Sequence, residues 1–325
     1  MVLSSVEMWG FGEFISFDKN ASMPRFAVID LGTNIFAMRI VESLDGKTYQ
    51  QLYKESRFVK LAEEGFAKIG AAPYARGLQT IADYRKRLEE FGVKKIKAIG
   101  TAALRTAANG PAFLNDVLSQ SGIQVDLISG DEEAHFIHKG SKLAVPFDDQ
   151  KKLIMDIGGG SVEFIIADAD QVYWAASFMI GLAVMFPKYH QVDPISKEEI
   201  AELEAFLGSQ LAPLEQALQL YPVVHLVGTS GTFDVIENML ADKKTGKHYT
   251  HLAIDKVLVL YQQLIKSTYA KREAMSGLLL SRVDMIVVGM ILIGKIIRMC
   301  GATQLFVSDF DLKEGILQDM VEGIL

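Results

Sequence analysis

Ala27-Val28-Ile29-Asp30-Leu31-Gly32-Thr33 and Leu153-Ile154-Met155-Asp156-Ile157-Gly158-Gly159 match position by position: an apolar run, an aspartate at its end, and a glycine turn. A short apolar run bounded by a glycine turn reads as a buried strand. Two more strand-like runs follow each copy, at 35–41 and 51–61 after the first and at 162–167 and 172–178 after the second. Between the copies the pattern predicts helix over 73–91, strand over 95–99, helix over 112–121, strand over 124–128 and a helix from Asp131. A unit repeated at that length predicts two similar α/β domains facing each other across a cleft. A third glycine turn, Gly228-Thr229-Ser230-Gly231-Thr232, follows an apolar run at 223–227 and opens a helix. Backbone N–H groups at such a start attract anions.

The chain has 325 residues, half of them hydrophobic, which excludes a disordered protein and suits two domains with real cores. With 33 basic and 40 acidic residues the net charge is −7, which argues against a nucleic-acid binder working through bulk charge. An anionic ligand must then be drawn locally, by glycine loops, a few cations or a metal. One cysteine, Cys300, leaves no disulfide framework or cysteine zinc site and fits a reducing cytoplasm. The longest apolar run, 285–294, is cut by Lys295 and falls short of the ~20 residues a bilayer helix needs, so it reads as a buried helix and no membrane partner is expected. Whether the apolar helix there is core or the face of a homodimer stays open. Residues 1–24 lack a basic start and apolar core and do not read as a signal peptide. They are expected to form a poorly ordered tail, with 11–17 as an alternative edge strand and Met23 as an alternative start.

A strand that ends in Asp and turns through glycines has a physical use. The glycines let the backbone approach a phosphate, and the carboxylate can hold a hydrated divalent cation. Asp156 and Glu163 straddle the Gly158-Gly159-Gly160-Ser161 turn, so a hairpin would bring them together as two oxygen ligands for one Mg²⁺; a turn-capping Asp and a surface Glu are the plain alternative. In Ser129-Gly130-Asp131-Glu132-Glu133, a capping box accounts for Ser129 and Glu132 and leaves Glu133 free, a carboxylate able to take a proton from water. Arg105, after Gly100-Thr101-Ala102-Ala103-Leu104, could grip a phosphate or simply lie on the surface. The pairs His135/His138 and His248/His251 read as surface residues, and Lys94, Lys95 and Lys97 as protection of an edge strand. Gly-x-Ser-x-Gly and Gly-Lys-Ser loops are absent, so neither a serine hydrolase nor a P-loop enzyme is supported.

Taken together, Ile29-Asp30-Leu31-Gly32-Thr33-Asn34, Thr101 to Arg105, Ser129 to Ala134, Asp156-Ile157-Gly158-Gly159-Gly160-Ser161-Val162-Glu163, Gly228 to Thr232 and Ser308 to Leu317 resemble the exopolyphosphatase and guanosine pentaphosphate phosphohydrolase family. The motifs run in order over nearly the whole chain. The resemblance implies an actin-like (ribonuclease H-like) α/β fold, with domain I over 25–137, domain II over 138–311 and a C-terminal helix over 312–325 packing back on domain I. It implies Glu133 as the base that activates water, and Asp156 and Glu163 as holders of Mg²⁺. The phosphate-binding set would be Asp30, Gly32, Thr33, Asn34, Arg105, Gly158, Gly159, Gly160, Ser161, Gly228, Thr229, Ser230, Gly231 and Thr232. The implied substrate is inorganic polyphosphate, or guanosine pentaphosphate, hydrolysed in the cytoplasm; a non-catalytic binder of such anions is the rival class. Ile35 stands where relatives usually carry Ser or Thr, Ala37 and Gly181 to Val184 lack arginines many relatives have, and Phe310-Asp311 replaces a more usual Tyr-Gly. The chain stops at Leu325 where longer relatives continue into helical domains, which implies a shorter binding track.

Overall fold

A computed structural model describes residues 23–325, so residues 1–22, which carry most of the expected tail and the alternative strand at 11–17, lie outside the described part. The first half runs β1 (Arg25–Leu31), β2 (Ile35–Ser43), β3 (Tyr49–Phe58), α1 (Ala71–Glu90), β4 (Lys95–Gly100), α2 (Ala102–Thr106), α3 (Gly110–Ser121), β5 (Val125–Leu127) and α4 (Gly130–Ala144). The second runs β6 (Lys152–Ile157), β7 (Val162–Ala167), β8 (Val172–Phe178), α5 (Leu182–Tyr189), α6 (Lys197–Gln210), α7 (Ala212–Leu220), β9 (His225–Thr229), α8 (Gly231–Leu240), β10 (Tyr249–Ala253), α9 (Ile254–Leu264), α10 (Tyr269–Glu273), α11 (Ile286–Cys300), β11 (Gln304–Ser308) and α12 (Leu312–Glu322). Two sheets result, ordered β3-β2-β1-β4-β5 and β8-β7-β6-β9-β11-β10. In each, three antiparallel strands are followed by one parallel to the first, β4 beside β1 and β9 beside β6. The repeat extends to a single bond: Gly32 N–H donates to the Ile35 carbonyl at 3.1 Å and Gly158 N–H to that of Ser161 at 3.0 Å. The actin-like two-domain α/β fold is therefore present, with β10 as an added antiparallel edge.

The period of two in β1 and β6 sends side chains into different cores. Ala27, Ile29 and Leu31 face the core of the first domain and Leu153, Met155 and Ile157 that of the second. Phe26, Val28, Ile154 and Ile165 enter a third core between the sheets, filled by α4 and α12. Asp30, Asp156 and Glu163 share the parity of this third set. At the ends of their strands they put carboxylates where the interdomain apolar layer stops, and that is why a polar cleft opens there.

The two filling helices are exchanged. The α4 helix follows the first sheet yet packs on β7 and β8, and α12 follows the second sheet yet packs on β1. The boundary expected at 137/138 thus falls inside α4, which serves both halves. Residues 35–41 and 162–167 are strands as expected, whereas the run at 51–61 stops at Phe58. There the Asn34 and Thr33 carbonyls take the N–H groups of Val59, Lys60 and Leu61 and pull the chain off the ladder. The lysines around β4 do not protect an edge. β4 lies inside its sheet, Lys97 pairs with Asp126 at 2.9 Å, and the Lys95 ammonium sits over the Phe26 ring. The run at 285–294 falls on α11, buried within the second core, so that helix offers no free dimer face. No helix among the described residues is long and apolar enough to cross a membrane.

Candidate active site

The first, second and third glycine turns meet at the mouth of the interdomain layer. They line a cavity of about 480 Å³ through Gly32, Thr33, Asn34, Gly158, Gly159, Ser230 and Gly231. A smaller chamber of about 80 Å³ is shared by Asp30, Thr33, Glu133, Asp156, Gly160, Ser161 and Lys313. The first two turns touch. A Cβ on Gly159 would lie 2.8 Å from Asn34 Nδ2 and would push that side chain aside, and one on Gly160 would lie 2.7 Å from both Thr33 Oγ1 and Ala102 Cβ, so glycine is required at Gly160. The third turn is strained at Ser230, whose φ of 70° and ψ of 174° belong to a region favouring glycine. Its hydroxyl donates to Asp156 Oδ2 at 2.8 Å, which fixes the turn against the carboxylate. Of the expected site residues, Gly228, Thr229, Thr232, Arg105 and Glu163 line neither compartment. Gly228 is inside β9 under the Phe233 ring, Thr229 donates to the Phe310 carbonyl, and Thr232 is buried beneath the turn.

Asp156 and Glu163 are direct partners in the β6–β7 register, as the hairpin requires. Burial pushes the Asp156 carboxyl up to about 8, with the Asp311 charge adding to it. Burial and Asp156 push Glu163 to about 7, although Glu163 Oε1 accepts from Ser177 Oγ at 2.6 Å. Asp30 is likewise raised by burial to about 6. Glu133 stands in the first turn of α4, past a capping box formed by Ser129 and Glu132. It is 8% exposed, and burial together with the Glu163 charge raises it well above the ordinary carboxyl range. Arg105 Nη1 lies 3.2 Å from Glu133 Oε2 and donates to the Ile128 carbonyl at 2.5 Å. Arg105 therefore steadies the Glu133 carboxylate from α2.

The donor set fits a hard divalent cation. Asp30 Oδ1 is buried with no hydrogen-bond partner, and burial, with the Asp311 charge adding to it, raises the proton affinity of Asp30 and Asp156, a cost a cation would relieve. No group of three His, Cys, Asp or Glu among the described residues forms a cage by itself. Mg²⁺ rarely needs one, since it binds through one or two carboxylates, water and substrate oxygens. Raised carboxyls bind protons more tightly folded than unfolded. Their stabilisation is therefore complete below the unfolded value of about 4 and is lost as pH rises through 6, 7 and 8 at Asp30, Glu163 and Asp156. Scanning calorimetry of the metal-free protein should show a melting temperature that falls between about pH 6 and pH 8.5, and Mg²⁺ should recover more of it at the higher pH. A flat profile unaffected by Mg²⁺ would contradict this electrostatic picture.

Several cleft residues carry no signal of their own in the sequence. Lys313 Nζ lies 2.6 Å from Asp311 Oδ2 and 3.9 Å from Asp30 Oδ2, placing a cation between the strand-end carboxylates. Burial pushes Asp311 up, but Lys313 and Arg39 hold it below the ordinary range. Asp311 also caps α12 with Glu314, and Arg39 pairs with Glu314. Arg39, Lys54, Asp234 and Arg282 line the outer cavity. The replacement of Tyr-Gly by Phe310-Asp311 thus supplies a helix cap and a partner for Lys313. Ile35 and Ala37 line the cavity as well, and Arg39, two residues along the same strand face, brings the guanidinium that Ala37 lacks. Two histidines depart from the surface reading: His138 packs against Phe147 and is held near 4 by burial, and His248 stacks on Phe310.

A model of the Ppx/GppA phosphatase family matches residues 39–323. The chain is 28% identical over 307 residues to a guanosine-5'-triphosphate,3'-diphosphate pyrophosphatase of Photobacterium profundum, covering 94% of this chain and 61% of that protein. A protein of the same name from Vibrio parahaemolyticus is 27% identical, with 93% and 60% covered. The chain thus spans about three fifths of the length of these curated relatives. An exopolyphosphatase from Cytophaga hutchinsonii superposes with a TM-score of 0.88 at 32% identity, over 92% of this chain and 98% of that one. A family member from Aquifex aeolicus superposes at 0.78 with 23% identity, over 93% and 99%, a likeness of fold.

Proposed function

The chain belongs to the Ppx/GppA phosphatase family, and from that premise we propose that it removes terminal orthophosphate from inorganic polyphosphate, with Mg²⁺, in the cleft between its two domains in the cytoplasm. The observation that carries the reading is the buried Glu133, with its raised proton affinity and its Arg105 partner, in a chamber walled by residues of the three glycine turns. Glu133 takes the proton of a water whose oxygen bonds to the terminal phosphorus. The bridging P–O bond breaks, and the shortened chain leaves with that oxygen. The glycine turns and Lys313 bind and orient the terminal phosphoryl group, while Arg39, Lys54 and Arg282 hold phosphates further out. Mg²⁺ held at Asp156 and Glu163 would neutralise charge on the phosphoryl oxygens.

The choice of polyphosphate rests on the lining. Four cations face the outer cavity, and no aromatic side chain lines either compartment among the described residues. A phosphate chain needs cations and N–H donors, whereas a guanine gains from a flat ring to lie on. The names of the curated relatives favour guanosine pentaphosphate as the second reading. Competition decides between them. Orthophosphate release from polyphosphate should be faster than from guanosine pentaphosphate, should resist equimolar nucleotide, and should fall steeply as ionic strength rises. Preference for the nucleotide, with a flat salt response, would reverse the assignment. Tight binding of either without release would favour the non-catalytic binder.

A further inference from the structure

A second cavity, of about 720 Å³, shares no lining residue with the cleft. It lies where the β2–β3 turn, the end of α4, the start of β10 and the side of α12 converge, so both domains contribute walls. Its lining differs from the cleft's, where Arg39, Lys54, Arg282 and Lys313 are mixed with Asp30, Glu55, Asp234 and Asp311. Three lysines line it, Lys47, Lys142 and Lys247, and no carboxylate does among the described residues. None of their ammonium groups comes within 4.0 Å of a carboxylate among the described residues, although that of Lys142 donates to the Ala169 carbonyl. In a chain with a net charge of −7 that concentration of unpaired positive charge is a local exception. Rings are present too: Tyr49 and Tyr249 are half-buried in the wall, and His248 stacks on Phe310 with centroids 4.4 Å apart.

Flat rings beside unpaired lysines suit a ligand that joins a planar base to several phosphates. We propose that this cavity is a second binding site, separate from the catalytic cleft, for a nucleoside polyphosphate: the base lies on the Tyr49, Tyr249 and His248 faces and the phosphates meet Lys47, Lys142 and Lys247. The site has a physical route to the cleft. Phe310 directly precedes Asp311, the cap of α12 that holds Lys313, and Gln318 of the same helix donates to the Lys47 carbonyl at 3.0 Å. A ligand gripped from both domains would therefore bias their closure, and cleft occupancy would bias its affinity by the same factor.

The test is calorimetric titration of ATP into the full chain without metal, so that turnover plays no part and a failure of the hydrolase reading leaves the result interpretable. ATP should bind. Lys47→Glu with Lys247→Glu, both at exposed positions, should weaken it more than about tenfold. Tyr249→Ala should weaken ATP but leave inorganic tripolyphosphate unchanged, and Lys54→Glu with Arg282→Glu, in the cleft, should leave ATP unchanged. Three results would overturn the proposal: no ATP binding at millimolar concentration, loss of ATP only in the cleft variant, or tripolyphosphate binding at the lysines as tightly as ATP.

Discussion

Glu133→Gln is expected to cut orthophosphate release by a factor of about a hundred or more, the range typical of a lost general base. Gln keeps the shape and can still accept from Arg105, but it cannot take the proton of the attacking water. The same change removes a buried carboxylate that is pushed up by burial and by the charges of Glu163 and Asp30. The variant should therefore melt no lower than the parent at pH 8, and KM should move little. That pairing separates chemistry from structure, since a merely structural glutamate would lose stability along with rate. Glu132→Gln is the matched control. Glu132 accepts from the Ser129 N–H at 2.7 Å in the capping box, so its replacement should cost about 1 kcal/mol of stability or less and leave turnover alone.

Gly140→Ala should be the most damaging small substitution in the fold. Where α4 crosses α12, a Cβ on Gly140 would lie 1.9 Å from the Asp311 carbonyl oxygen, and one on Gly315 2.1 Å from that of Phe136. Both obstacles are backbone, so neither can swing aside. The helices would have to part, opening the third core and moving Asp311 and Lys313, which α12 carries into the cleft. A loss of at least about 3 kcal/mol is expected in urea unfolding, at the upper end for an overpacked core. Gly208→Ala gives the opposite sign. That position lies inside α6, and a Cβ there would meet only Lys295 Nζ at 3.6 Å, so the substitution should gain about 0.5–1 kcal/mol. Equal behaviour of the two variants would remove the crossing from the account.

What could be read from the sequence was what depends on local period. The matched runs at 27–33 and 153–159 gave two sheets of one plan, and alternation along β1, β6 and β7 already places Asp30, Asp156 and Glu163 on the faces of Val28, Ile154 and Ile165. The capping box before Glu133 was equally local. The order of strands within a sheet depends on pairing between distant segments, and so the lysines of an interior strand, β4, looked like those of an edge. The exchange of α4 and α12 between sheets is also invisible locally, because each helix shows one apolar face whichever sheet it covers. The cations behaved likewise. Arg39 meets Glu314 across 275 residues of chain, and Arg282 reaches the cleft from a short 3₁₀ turn with no motif. Half of the third glycine turn was misleading for a different reason: Gly228 is a glycine because Phe233 packs over it, not because a phosphate approaches.

The most direct test of the central claim is a single turnover on long-chain polyphosphate in ¹⁸O-water with Mg²⁺, followed by mass analysis of the orthophosphate released. The account predicts one ¹⁸O in each phosphate released by the parent chain, and release slowed by about a hundredfold or more in Glu133→Gln. Tight polyphosphate binding with no release, or release that Glu133→Gln does not slow, would contradict it.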